Sequence, residues 1–179
     1  MMEQISFNKL LLKTAFSCMA CDGDIDKREV SLIIKLHQEK KIFGEIDFNF
    51  ELKNLISEFN KDSQRFLKSY FAELSSKVLN EVDELKLIEV AIETIKADDK
   101  VEYSEIKFFK LIRSNLKISN KSILDVHPDF EEYLEQDILS DSYLRNLQND
   151  FFDLGNLNKL EFLNSSSLDL MSIINSSSK

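Results

Sequence analysis

A short acidic elbow, Cys21-Asp22-Gly23-Asp24-Ile25-Asp26-Lys27-Arg28-Glu29, lies between two runs of helical periodicity and returns once later in the chain. Setting Asp98 against Asp22 lays Asp98-Asp99-Lys100-Val101-Glu102-Tyr103-Ser104-Glu105 over it, so that Ile25 meets Val101, Asp26 meets Glu102 and Glu29 meets Glu105. The flanks agree in character: Leu11, Leu12 and Ala15 fall on Leu87, Ile88 and Ala91, and Val30, Ile33 and Leu36 fall on Ile106, Phe109 and Ile112. We read one helix-elbow-helix unit used twice, which confines the chain to folds that pack two such hairpins.

Three glycines and one proline in 179 residues leave too few turn residues for a strand-rich fold. The expected fold class is therefore all-α, a compact bundle built on the duplicated unit with a helical C-terminal extension. The expected organisation is a helical domain at 1–124, the extension at 125–163 and a serine-rich tail at 164–179. A net charge of −9 argues against a nucleic-acid partner, because phosphate binding depends on clustered Lys and Arg. No apolar run reaches the roughly 18 residues that cross a bilayer, and the start lacks the layout of a signal peptide, so a cytoplasmic location is expected.

Along the chain, Leu11, Leu12, Ala15, Phe16 and Met19 recur at helical spacing and predict a first helix over 7–22 with one apolar stripe, closed by Gly23. Asp26 with Glu29 three residues on reads as a capping box opening a second helix to about residue 40. Residues 42–50 alternate apolar and polar, so a brief extended piece and a loop are both open. Further helices are predicted over 50–59, 63–79, 82–97 and 103–116, the second of these ending in Leu74 and Val78 on its apolar face. Pro128 breaks the chain, and helices over 130–138 and 140–152 follow. Leu144, Leu147, Phe151 and Leu154 line one face of the last, either covering a groove of the domain itself or meeting a partner protein.

The chemistry to weigh is acidic. Asp26 and Glu29 are accounted for by capping and by the helix dipole, which favours acids in a first turn. Asp22 and Asp98 sit instead at the carbonyl end of a helix, where the same dipole disfavours an anion, and Glu102 is a weaker N-cap residue than aspartate. Oxygen-only ligands of this kind select calcium or magnesium. The loop is not an EF-hand: counted from Asp22, Lys27 stands where the glycine belongs and Ile33 where the bidentate glutamate belongs. Cys18 and Cys21 lack a second pair for zinc and read as small packing residues. His37 reads as a surface helix residue. No phosphate loop and no Ser/His or Cys/His partnership suggests an enzyme.

Two units of the form Ala-x(6)-Asp-x-x-[Ile/Val]-[Asp/Glu]-x-x-Glu, here Ala15 to Glu29 and Ala91 to Glu105, resemble the TerB or tellurite-resistance family and its relatives in DnaJ-type co-chaperones. The likeness covers roughly 8–118. It implies a compact all-helical domain with acidic elbows that bind divalent cations, and, position by position, Asp22, Asp26, Glu29, Asp98, Glu102 and Glu105 as ligands. The copy departs by carrying Asp99-Lys100 where the first unit has Gly23-Asp24, and Lys100 would neutralise part of the second site. The expectation is a non-catalytic module, binding a cation and acting as scaffold or sensor in a stress-response or defence assembly. The alternative is a protein-interaction module with no metal.

Overall fold

A computed structural model describes residues 6–23, 25–97 and 101–134, apart from the side chain of Glu132. These residues form α1 (Phe7–Met19), a 3-10 turn (Ala20–Asp22), α2 (Lys27–Lys40), α3 (Phe48–Lys61), α4 (Ser63–Ser76), α5 (Glu81–Lys96), α6 (Tyr103–Ser114), α7 (Asn120–Leu124), a second 3-10 turn (Pro128–Phe130) and α8 (Glu131–Leu134). The fold is all-α, with no strand among the described residues. Short polar side chains start the helices: Ser6, Asp26, Asp47, Asp62, Asn80 and Ser119 each accept a hydrogen bond from the third residue beyond them.

α1 is the axis of the bundle. Every residue from Leu10 to Cys21 is buried, and α2, α3, α4, α5 and α6 all pack against this helix. The single apolar stripe expected from sequence is thus too narrow a description, because polar positions of α1 are enclosed as well. Lys13 is 4% exposed; its Nζ donates to Glu73 Oε1 at 2.7 Å and to Ser69 Oγ at 3.3 Å on α4. Thr14 donates to the Leu10 carbonyl at 2.8 Å and accepts from the Tyr70 hydroxyl at 3.1 Å. A buried polar group is tolerated when such partners replace water. On another side Phe16, Phe59 and Phe66 meet edge to face, with centroids 5.5 to 5.7 Å apart.

Several boundaries differ from the sequence reading. Residues 42–50 hold no extended piece: Gly44 takes a φ of 65°, its N–H donates to the Lys41 carbonyl, and Asp47 caps α3 two residues earlier than expected. α4 stops at Ser76, and Val78, expected on its apolar face, is fully exposed, because Asn80 caps α5 at Asp83 and holds the preceding residues extended. α6 ends at Ser114 rather than 116, where the Asn115 N–H turns back to Ile112. The short α7, capped by Ser119, went unread in the sequence. Past Pro128, Phe130 meets Phe109 of α6 edge to face and Tyr133 stacks on Phe130. The helix expected over 130–138 is described as α8 only to Leu134, and Leu144, Leu147, Phe151 and Leu154 lie outside the described residues.

Candidate functional site

The acidic elbows are built by helix ends. α1 gives way to the 3-10 turn Ala20–Asp22, and Gly23, at a φ of 96°, turns its N–H back to the Ala20 carbonyl. Glycine suits that left-handed position. The chain then re-enters a helix through Asp26: Glu29 N–H donates to Asp26 Oδ1 at 2.9 Å, and Asp26 N–H donates to Glu29 Oε2 at 2.8 Å. This is the capping box read from sequence. At the second elbow Glu105 Oε2 accepts from the Glu102 N–H, again at 2.8 Å. The sequence argument that capping accounts poorly for an acid at Glu102 is corrected, since Glu102 stands at the N-cap of α6 and forms a capping box with Glu105.

The described parts of the two elbows meet. The turn Ala20–Asp22 packs on α6, Cys21 and Ser104 share a hydrogen bond, and Glu105 bears electrostatically on Cys18, Cys21 and Glu29. Burial of the half-buried Glu29 carboxyl, with Asp26, Asp22 and Glu105 around it, pushes its pKa up to about 8 despite the bond from the Asp26 N–H. Asp22, Asp26 and Glu102 are exposed at the rim. Of the six residues that the resemblance implies as ligands, Asp22, Asp26, Glu29, Glu102 and Glu105 are described, and Asp98 lies outside the described residues.

Every one of these side chains offers oxygen, which suits a hard cation. Their placement is less suited: among the described residues no group of three or more His, Cys, Asp or Glu side chains is positioned to hold an ion. Cys18 and Cys21 are buried at 0% and 2% exposure, and burial holds both thiols well above their ordinary pKa, in keeping with packing residues.

His37 is not the plain surface residue expected. It is half-buried at the end of α2, with its ring 4.2 Å from that of Phe48 and nearly parallel to it. The sequence carried a signal for this, the apolar Phe43 in the following connection and Phe48 just beyond it, that helical periodicity alone could not use. Comparison of the chain with protein-family models, with curated proteins and with solved structures finds no match.

Proposed function

We propose that the chain is a non-catalytic helical module in which two helix-elbow-helix units of common origin set their acidic elbows side by side, and that this corner takes up calcium or magnesium. In this reading the module serves as scaffold or sensor within a stress-response or defence assembly, as its resemblance to the TerB family implies. What supports the reading is the meeting of the elbows, with the turn Ala20–Asp22 on α6 and Glu105 bearing on Cys21 and Glu29. Carboxylates gathered at one corner repel until a counter-charge arrives, and oxygen donors favour a hard divalent ion. Asp98 belongs to the proposed set, and the described residues alone do not complete it.

A second reading, a protein-interaction module without an ion, draws on one specific observation. Glu29 and Glu105 each already accept a backbone N–H at 2.8 Å, so capping gives both glutamates a role with no cation present.

Thermal melting of the full chain in calcium and in magnesium separates the two, using the wild type and an Asp22→Asn/Asp98→Asn variant. The cation reading expects the wild-type melting temperature to climb with ion concentration, by the equivalent of about 2.7 kcal/mol at a hundredfold excess over Kd, while the variant stays flat. Equal responses in the two proteins, or no response in either, leave the interaction reading standing.

A further inference from the structure

The connection between α2 and α3 combines a few backbone hydrogen bonds with a stack of rings. His37, in the last turn of α2, stacks on Phe48, the first residue of α3, at 4.2 Å and 5°. Phe43, fully buried within the connection, lies parallel to both, 5.8 Å from His37 and 5.9 Å from Phe48. The chain reaches this arrangement through two left-handed residues, Lys41 at a φ of 50° and Gly44 at 65°. Gly44 is pressed so close to Asn8 of α1 that a Cβ there would stand 2.7 Å from Asn8 Nδ2. His37 forms one wall of a cavity of about 730 Å³ that Lys41, Gly44, Glu45, Ile46 and Asp47 also line.

Within that wall the imidazole is poorly provided for as a cation. Its Nδ1 is buried and has no hydrogen-bond partner among the described residues. A neutral ring can leave this nitrogen as a bare acceptor, whereas an imidazolium must carry a proton on it and bury an unmet donor. Among the charged groups that share the cavity, Lys41 opposes a positive ring, Asp47 accepts the Phe50 N–H with Oδ1 at 3.2 Å, and Glu45 is exposed. Burial and Lys41 together lower the pKa of His37 below its ordinary value. Lys40, three residues on, is engaged with Glu93, and Glu39 faces Lys35.

We propose that the connection over 41–47 is an acid-released latch: protonation of His37 unseats the ring stack and frees this segment from the end of α2 and the start of α3. Protonation is the event because histidine alone among unperturbed side chains changes charge in mildly acid solution. The segment that yields is 41–47 because it has few backbone hydrogen bonds of its own to fall back on, the Gly44 N–H to the Lys41 carbonyl and the Phe48 N–H to the Ile46 carbonyl being two of them.

The test is hydrogen exchange of the full chain at several pH values between 7.5 and 5, corrected for the intrinsic change in exchange rate, with the wild type beside His37→Phe, which keeps the ring and removes the proton. Protection over 41–47 is expected to fall several-fold in the wild type as the pH drops and to stay constant in the variant. Constant protection in the wild type, or an equal fall in both proteins, overturns the proposal. If His37→Phe does not fold, NMR titration of the wild-type His37 ring decides: titration below the ordinary histidine value, accompanied by shift changes in the 41–47 amides, supports the latch, and titration at or above that value overturns it.

Discussion

The helix pair α1 and α2 and the helix pair α5 and α6 share their order of parts but secure the connection after the second helix in different ways. After α6, Glu84 of α5 accepts the Lys117 and Ile118 N–H groups at 2.8 and 2.6 Å. Arg113 adds bonds to Asn120 Oδ1 and to the Leu116 carbonyl. After α2, the corresponding positions are Asn8, which packs on Gly44, and His37, whose ring stacks on Phe48. One connection is a polar clamp and the other an aromatic seat. The lesson is that a shared pattern of apolar and acidic positions fixes the helices and their caps, while single residues beside the pattern decide how firmly each loop is held.

The pairs differ as well in burial, and the largest predicted effect tests that. Past its first turn α1 is enclosed all round, whereas α5 still exposes Lys86 beyond its own first turn. Phe16→Ala in α1 removes the hub of the Phe59 and Phe66 contacts and is expected to cost about 4 kcal/mol, against about 3 kcal/mol for Ile92→Ala at the corresponding place in α5. Urea melts of both variants compare them, and a larger loss at Ile92 breaks the claim that α1 is the axis.

The clamp is next. Glu84→Ala leaves two backbone N–H groups at the Lys117–Ile118 turn without an acceptor and is expected to cost about 2 kcal/mol, while Asn8→Ala costs less than about 1 kcal/mol. Equal losses would erase the distinction between clamp and seat.

A smaller effect, on the order of 1 kcal/mol after allowance for solvent screening, concerns the pH dependence at the first elbow. Glu29 has a folded-state pKa of about 8 against an ordinary value of 4.5, so the native protein keeps a proton that the unfolded chain releases in that interval. The Glu29 contribution is therefore full below about pH 4.5 and is lost as the pH rises to about 8. Glu29→Gln, which can still accept the Asp26 N–H, is expected to flatten this part of the stability profile in denaturant melts run across the interval. A wild-type contribution from Glu29 that grows with pH would contradict the burial assigned to it.

Much of this was legible in the residues. The elbow pattern located α1, α2, α5 and α6, the Asp26 and Glu29 capping box followed from spacing alone, and Gly23 marked the helix end because few other residues accept its φ. What the sequence hid depends on tertiary surroundings. The sequence offered a single apolar stripe for α1, yet Lys13 and Thr14 are buried as well, where α4 supplies Glu73, Ser69 and Tyr70 as their partners. Val78 read as core until the Asn80 cap drew the chain out of helix before it. The role of His37 escaped helical periodicity because its ring partners, Phe43 in the connection and Phe48 at the start of α3, lie outside its own helix.

The account turns on the two elbows sharing one corner, and a double-mutant cycle at pH 8.5 tests this most directly. Glu29→Gln and Glu105→Gln each keep a side chain able to cap the helix while removing a charge. Each single change is expected to stabilise the protein, and the double variant to gain less than the sum of the two, with a coupling on the order of 0.5 to 1 kcal/mol, because the first change already relieves the repulsion. Strict additivity would mean that Glu29 and Glu105 do not feel each other, and the shared corner would be contradicted.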